Sequence, residues 1–122
     1  MAGLLEVNLD QINRSVLASD VQTAATATST IPAVAGKVNV LRHVHAAYSA
    51  TPSAGAKLVI KFGTTVKATF QVSSTVPVQL DFGDSGVMDT TVNEAISVVL
   101  DSGGGSVIGT LIIDGYPTDA PY

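Results

Sequence analysis

The chain of 122 residues has the length of one domain, large enough to bury a hydrophobic core without disulfides or a structural metal. It contains no cysteine, which excludes a disulfide scaffold, a thiolate metal site and a cysteine nucleophile. With a formal net charge of −4 and only six Lys and Arg residues, it lacks the basic surface that nucleic-acid binding requires.

Charged residues make up only 13% of the sequence, about half the usual fraction. Interface cores are depleted in charge, so this composition indicates a protein whose surface is partly covered by other chains. The N-terminal stretch MAGLLEVNLDQINRSVL lacks a basic start and carries Glu6 and Asp10, so we expect no secretory signal. No apolar run reaches the ~18 residues of a membrane span, and we expect no membrane partner.

Residues 1–36 differ in composition from the rest of the chain, and we interpret them as an N-terminal arm. The Ala- and Thr-rich stretch TAATATSTIPAVAG, which ends the arm, predicts an extended segment or a first strand lying on a surface. Before it, the stretch VNLD alternates as an extended chain does, whereas four aliphatic residues have helical spacing, so helix and strand stay open. These four are Leu5, Leu9, Ile12 and Val16.

From Lys37 onward, apolar and polar residues alternate with the two-residue period of a β-strand. Gly-, Ser- and Thr-rich turns separate the alternating stretches, and no helical pattern intervenes to support a parallel sheet. The sequence therefore predicts an all-β fold, an antiparallel jelly-roll-like β-sandwich over residues 37–122, preceded by an extended or partly helical arm. The predicted strands are KVNVLRHVHAAYS, KLVIKF, TVKATFQV, VPVQLDF, EAISVVLD and SVIGTLIIDGY.

The last of these stretches is apolar on both faces. Val107, Leu111 and Ile113 share one face, and a strand that is also apolar on its second face is covered on both sides. We therefore predict that the second face lies in an interface between subunits. Its residues are Ile108, Ile112 and Tyr116.

In the first predicted strand, KVNVLRHVHAAYS, strict alternation separates the residues into two sets. One set faces one side of the strand, and the other set faces the opposite side. The first set is Val38, Val40, Val44, Ala46 and Tyr48, and the second is Asn39, Leu41, His43, His45 and Ala47.

The stretch DFGDSGV, residues 81–87, contains fragments of two catalytic signatures: the Gly-Asp-Ser-Gly of chymotrypsin-like proteases and the Asp-Phe-Gly of protein kinases. The protease architecture needs two packed barrels to orient its base and oxyanion hole, and this chain is long enough for one. The kinase signature needs a glycine-rich loop and a His-Arg-Asp loop, and the sequence has neither. We predict no catalytic residue and no enzyme activity.

We instead interpret Gly83-Asp84-Ser85-Gly86 as a turn. Glycine adopts positive φ without strain, and short Asp and Ser side chains cap turns by hydrogen bonds to the backbone. On this interpretation Asp84 and Ser85 cap the turn between two strands.

His43 and His45 lie two residues apart, hence about 7 Å apart on one side of a strand, a spacing that chelates a transition metal when a third ligand joins. The sequence has no other histidine and no cysteine, so packing or hydrogen-bonding roles are favoured over a metal shared between chains. Asp81, Asp84 and Asp89 do not follow the spacing of an EF-hand loop. We predict no metal and no cofactor.

The order of IPAVAGKVNVLRHVHAAYSATPSAG, short strands and LDFGDSGVMDTTVNEAISVVLDSGGGSVIGTLIIDGY resembles small tailed-phage structural proteins, which include head decoration, or cement, proteins with a jelly-roll fold. The resemblance covers residues 31–116 and includes no catalytic signature. Its features are PAVAGK after an Ala/Thr-rich lead, Tyr48-Ser49-Ala50 at a strand end, and a hairpin that closes at Gly115-Tyr116.

The resemblance implies a homotrimer that binds the major capsid protein on the outside of an icosahedral phage head and stabilises the shell. It also implies a location on the virion exterior, after synthesis in the host cytoplasm, and an arm that reaches over neighbouring capsid proteins. Burying each aliphatic side chain of that arm would contribute roughly 1.5 to 3 kcal/mol. The candidate capsid-binding residues are Leu4, Leu5, Val7, Leu9, Ile12, Val16 and Leu17.

Two alternative functions stay open. The first is a receptor- or glycan-binding β-sandwich, because sandwich loops recognise such ligands. Glycan sites present aromatic platforms, and only Tyr48, Tyr116 and Tyr122 qualify, all at strand ends or the terminus, which favours the structural role. The second alternative is a phage tail or baseplate component, which the sequence does not separate from a head protein.

Overall fold

The computed structural model describes residues 15–121, which form nine β-strands in two antiparallel sheets, with no helix among them. Val, Ile and Thr are frequent in the strands, as expected for β-branched side chains that pack on a pleated surface. The strands are β1 (Val16–Thr23), β2 (Ala27–Ile31), β3 (Lys37–Tyr48), β4 (Lys57–Phe62), β5 (Thr65–Gln71), β6 (Val78–Asp81), β7 (Val87–Met88), β8 (Ile96–Leu100) and β9 (Ile108–Asp119).

The two sheets have the strand order of a jelly roll. Sheet A contains β1, β9, β3 and β6 in that order, with the short β7 also paired to β3. Sheet B contains β2, β8, β4 and β5. With β6 and β7 sharing one position, this is an eight-position double Greek key, and the predicted all-β jelly-roll-like sandwich is confirmed.

Residues 16–31, which the sequence analysis assigns to the arm, form β1 and β2 of the sandwich. β1 pairs along its whole length with β9, and β2 pairs with β8, where Ala27, Ser29 and Ile31 are buried. The sandwich therefore begins at Val16 rather than at Lys37. The hydrophobic pattern misses this because small Ala and Ser side chains occupy two of the buried positions in β2. Residues 1–14 lie outside the described part, so their helical or extended state stays a prediction.

The core lies between the two sheets and is built almost entirely from aliphatic side chains. Alternate residues of β8 and β9 point into it, as the two-residue period requires. The fully buried large residues of this cluster are Ile31, Leu41, Leu58, Ile96, Leu100, Leu111 and Ile113.

A β-bulge in β3 turns the strand over halfway along its length. Leu41 pairs with Gly115 and His43 with Asp114, so Arg42 is the extra residue that no residue of β9 opposes. An extra residue shifts the alternation by one, so every side chain after Arg42 faces the side opposite to the one that strict alternation predicts.

Because of the bulge, the two sets predicted for β3 are wrong: each of them mixes residues that lie on opposite faces of the strand. Leu41 and Val44 both belong to the core, one before the bulge and one after it. Val38 and Val40 are fully buried but lie outside that core cluster. The inward position before Leu41 is taken by Asn39, whose Nδ2 donates to the carbonyl oxygens of residues 32 and 94 at 3.0 and 2.9 Å.

Asp20 ties the edges of the two sheets together. Its Oδ2 accepts the backbone N–H of Thr28 at 2.9 Å, which links β1 of sheet A to β2 of sheet B, and its Oδ1 accepts Nε2 of Gln22 at 3.0 Å. These hydrogen bonds favour the ionised carboxylate and lower the pKa of Asp20 below its ordinary value. Asp20 is therefore a structural residue of the corner between β1 and β2.

We expect Gly115→Ala to destabilise the protein by about 1–3 kcal/mol, the usual range for overpacking. A Cβ at position 115 would lie 2.2 Å from the backbone oxygen of Val40 and 2.4 Å from Cδ1 of Ile31. Gly109→Ala on the same strand is the control, because its nearest neighbour is the movable Cδ2 of Leu100 at 3.3 Å. Urea unfolding measures both variants, and equal midpoints for the two would contradict the register of β9 against β3.

Candidate functional site

The outer face of sheet A is the surface that the strands present away from the core. Residues paired across antiparallel strands share a face, so the pairings define this surface in rows. One row consists of Leu17, Asp114, His43 and Asp81, and the next of Ser19, Ile112, His45 and Gln79. Further members on β1, β9 and β3 are Val21, Thr23, Ile108, Thr110 and Ala47.

The ionisable groups on this face lie in contact with one another. Nη2 of Arg42 donates to both carboxylate oxygens of Asp114, at 3.1 and 3.0 Å, and also to Oγ of Ser15 at 3.0 Å. Nδ1 of His43 lies 3.0 Å from the same carboxylate, and its Nε2 lies 3.1 Å from Oδ1 of Asp81. The bulge completes this arrangement, because it turns His43 to the side of the sheet where Arg42 and Asp114 lie.

The geometry does not assemble a nucleophile and a base at Ser85. Both ring nitrogens of His43 lie against carboxylates, and Ser85 is exposed in its turn. Gly83 and Gly86 have φ of 77° and 63°, as the turn interpretation predicts. The capping group differs from the prediction, however, because Asp81 rather than Asp84 or Ser85 accepts the backbone N–H of Gly83, at 2.8 Å.

A groove of about 420 Å³ crosses the outer face. Leu17 and Ile112 contribute apolar surface to it, while His43, His45 and Gln79 contribute polar groups. Within residues 15–121, no three His, Asp or Glu side chains are placed to hold a metal ion together. The groove therefore offers hydrogen-bonding groups beside an apolar strip and is suited to contact with a polypeptide or a polar ligand.

The predicted subunit-interface residues all lie on β9. Ile108 is 40% exposed on the outer face, and Ile112 is half-buried beside the groove. Tyr116 is half-buried further along the strand, where Cζ of Arg42 lies 5.4 Å from the centre of its ring. The cation–π contact supplies a local reason for the burial of Tyr116.

The predicted capsid-binding residues divide into two groups. Val16 and Leu17 belong to β1, where Val16 packs against the core and Leu17 is 75% exposed on the outer face. The others lie outside the described residues: Leu4, Leu5, Val7, Leu9 and Ile12.

Sequence reasoning missed other residues of the outer face. Val21 is 59% exposed on β1, and Arg42 and Asp114 form the ion pair beside the groove. The sequence signal that could have found this face is the two-residue spacing of four residues, which places them on one side of a strand. They are Leu17, Ser19, Val21 and Thr23.

A second group of ionisable side chains lies away from the outer face. Asp89 is buried and accepts the backbone N–H of Thr91 at 3.0 Å, and its carboxyl group also hydrogen-bonds to that of Glu94. This hydrogen bond and partial burial raise the pKa of Glu94, and the nearby charge of Lys67 opposes the shift.

We expect Glu94→Gln to stabilise the protein at neutral pH and to make its stability less dependent on pH. A folded-state pKa above the ordinary 4.5 means that the stability from the protonated group is complete below pH 4.5 and is lost as the pH rises through the raised pKa. An amide at position 94 retains the donor toward Asp89 at every pH. Urea midpoints below pH 4.5 and at neutral pH test this, with Asp84→Asn in the exposed turn as control. An equal difference from wild type at both pH values would contradict it.

The comparisons with known proteins find likenesses of fold at low similarity. No protein-family model and no curated protein sequence matches the chain. Among solved structures, the CBM36-1 domain of a multidomain xylanase from the hindgut metagenome of Trinervitermes trinervoides has a TM-score of 0.46 at 13% identity, over 88% of this chain and 99% of that one.

Two further structures are similar at the same level. A carbohydrate-binding module CBM36 in complex with calcium and xylotriose has a TM-score of 0.42 at 16% identity, over 82% of this chain and 78% of that one. The acidic stable capsid of Helicobacter pylori bacteriophage KHP30 has a TM-score of 0.40 at 14% identity, over 88% and 94%. Likeness at this level assigns no function, so function must be argued from the outer face itself. No helix in residues 15–121 is long and apolar enough to cross a membrane.

Proposed function

We propose that the protein is a non-enzymatic virion structural protein: a decoration, or cement, protein that binds the major capsid protein on the outside of a phage head as a homotrimer. The observation that carries this proposal is the outer face of sheet A, where exposed aliphatic side chains lie beside the ion pair of Arg42 and Asp114. Leu17, Val21 and Ile108 are the exposed aliphatic residues of this face. A surface of this kind gains free energy by being covered.

The size of the face fits an interface between subunits. Three strands that contribute eight residues each and β6, which contributes four, give a projected area of about 450 Å² at about 4.8 Å between strands and about 3.4 Å per residue. A standard interface buries about 800 Å² of accessible surface on each partner, and a pleated face has more accessible surface than its projection. The face is thus large enough to supply most of one subunit contact, and the predicted residues Ile108 and Ile112 lie within it.

A glycan-binding function is the second candidate, favoured by the polar groups in the groove. The tyrosines on which a sugar ring could stack give this candidate little support. Tyr48 is buried and donates its hydroxyl to the carbonyl oxygen of Asp101 at 2.6 Å, and Tyr116 is covered in part by Arg42. Neither presents an open platform for a sugar ring, which weighs toward the structural role. Titration with oligosaccharides, compared between wild type and Gln79→Ala, tests this candidate.

We expect the free protein to form trimers of three times its 12.4 kDa mass and Ile108→Asp to dissociate them. A carboxylate buried in the interface without a partner should weaken association by at least about tenfold. Val66→Asp is the control, because Val66 is 53% exposed on sheet B, away from the outer face. Light scattering measures the mass, and an Ile108→Asp protein that keeps the wild-type mass would contradict the assignment of this face.

We expect the purified protein to co-sediment with shells of the major capsid protein of the same phage and to saturate them at a fixed ratio. Ser85→Ala should bind equally well, because the proposed function uses contact area and no nucleophile. Shells that take up no protein in any state of maturation would contradict the decoration function. Loss of binding by a folded, trimeric Ser85→Ala protein would contradict the non-enzymatic role.

A further inference from the structure

The edges of the two sheets differ in how they are protected against pairing with another strand. Unpaired N–H and C=O groups on an edge strand attract a further strand, and lysines, prolines, bulges and short strands prevent this. β5 has a bulge at Lys67. β6 and β7 are only four and two residues long, and Pro77 precedes β6. On β2, the carboxylate of Asp20 accepts the N–H of Thr28.

The outer edge of β1 lacks these protections among the described residues. Its eight residues pair with β9 in unbroken register and include no lysine, arginine, proline or glycine. Its one charged residue, Asp20, is directed at β2. Val16 and Ala18 pack against the core yet stay partly exposed. The edge of sheet A at β1 therefore combines an unprotected backbone with apolar surface that is only partly covered.

The hydrogen bonds of β1 determine which of its residues face this edge. The N–H of Ala24 donates to the carbonyl oxygen of Val107 at 3.0 Å, which continues the register of β1 against β9 by one residue. In an antiparallel pair, hydrogen-bonded residue pairs alternate with pairs that are not hydrogen-bonded. The odd-numbered residues of β1 therefore direct their backbone N–H and C=O groups away from β9. They are Leu17, Ser19, Val21 and Thr23.

We propose that residues 5–10 fold back along β1 of their own chain as a further strand of sheet A. The segment LEVNLD alternates three aliphatic residues with three polar ones, which is the pattern of a strand with one apolar face. Residues 11–14 then form a four-residue hairpin loop, and such loops are most often built around a type I turn, which most residues can adopt. Asp10 takes the first position of that turn, where Asp is preferred.

The four-residue loop determines the register of the added strand. It pairs Asp10 with Ser15 and therefore places Asn8 opposite Leu17. Leu17 is one of the residues whose backbone groups point to the outer edge, so this pair is a hydrogen-bonded one. The loop length and the direction of the backbone groups of β1 thus agree.

In this register the aliphatic side chains of the segment lie on the core side of sheet A. Paired residues share a face, so these side chains lie beside the partly exposed Val16 and Ala18. A shift of the register by one residue would turn them to the outer face and would turn the polar residues toward the core. The aliphatic residues are Leu5, Val7 and Leu9.

The short connection favours the segment's own chain over a second copy. Only four residues separate the segment from Ser15, and a short flexible connection gives an effective concentration on the order of millimolar. A second copy supplies its segment only at the concentration of the free protein. At micromolar protein the segment of the same chain therefore occupies the edge first.

The added strand changes what the arm offers to a partner. Leu5, Val7 and Leu9, three of the candidate capsid-binding residues, would contact a shell only after the strand has left β1. The inference goes beyond the proposed function and needs neither the trimer nor the shell. Its failure and the failure of the shell assay are therefore separate results.

The experiment uses introduced cysteines, because the chain has none of its own. In Asn8→Cys with Leu17→Cys, the two Cα atoms would lie about 5.5 Å apart, within the range that a disulfide spans. The matched control is Asn8→Cys with Val21→Cys, whose second cysteine is on the same exposed face of β1 but about 14 Å further along the strand. After mild oxidation of the full protein, we expect a disulfide within one chain in the first variant and none in the control.

Non-reducing electrophoresis separates disulfides within a chain from those between chains, and mass spectrometry of the digested protein identifies the linked peptides. Disulfide-linked dimers in place of the intrachain disulfide would show that a second copy supplies the strand and would overturn the inference. Equal cross-linking in the two variants, or no disulfide in the first, would also overturn it.

A second measurement needs no cysteine and covers a cross-linking variant that fails to fold by circular dichroism. We expect Val7→Ser to lower the urea midpoint, because Val7 lies on the core side of the added strand. Asn8→Ser, on its outer side, is the matched control and should keep the wild-type midpoint. Equal midpoints for the two variants would contradict the strand and its register.

Discussion

The bulge at Arg42 is the constraint on which the surface chemistry of this protein depends. By inserting one extra residue, it allows Leu41 and Val44 both to enter the core, although strict alternation would put one of them outside. The same insertion turns His43 to the outer face, beside the ion pair of Arg42 and Asp114. A bulge commonly re-aims a side chain in this way, and here it does so without interrupting the pairing of β3 with β9 on either side.

The polar network of the outer face joins ionisable side chains from three strands, β3, β6 and β9. Asp114 is matched by Arg42, and His43 bridges Asp114 and Asp81. The side chains of Arg42 and Asp114 are half-buried, so water and salt screen this ion pair less than a fully exposed one. A partner that covered the face would meet at Asp114 a carboxylate that already has a cation beside it, so the free energy of contact would come chiefly from the aliphatic strip along β1 and β9.

The sequence alone predicted the strands from residue 37 onward and the jelly-roll-like class, because long aliphatic residues alternate clearly there. It did not predict β1 and β2 as part of the sandwich, since Ala27 and Ser29 fill buried positions with little hydrophobic surface. The bulge could not be predicted from the sequence either, because a polar residue such as Arg42 is also expected at an outward-facing position of a regular strand. The candidate site was predicted only in part for the same reason. The pattern of β9 alone predicted Ile108 and Ile112, whereas Leu17 lies beside them only because β1, distant in sequence, pairs with β9. Asp114 likewise meets His43 only because β9 pairs with β3.

The central place of β9 in sheet A determines when the fold can be completed. β9 is the last of the nine strands in chain order, yet it is the strand that both β1 and β3 pair with. While the chain is being synthesised, β3 can pair with β6 and β7, but β1 cannot join sheet A until β9 has been made. Closing such long sequence separations is slow, and unpaired strands are prone to association during the delay. The low hydrophobicity of Ala18, Ser19 and Gln22 within β1 then has a kinetic role, because it limits association of the nascent chain before β9 arrives.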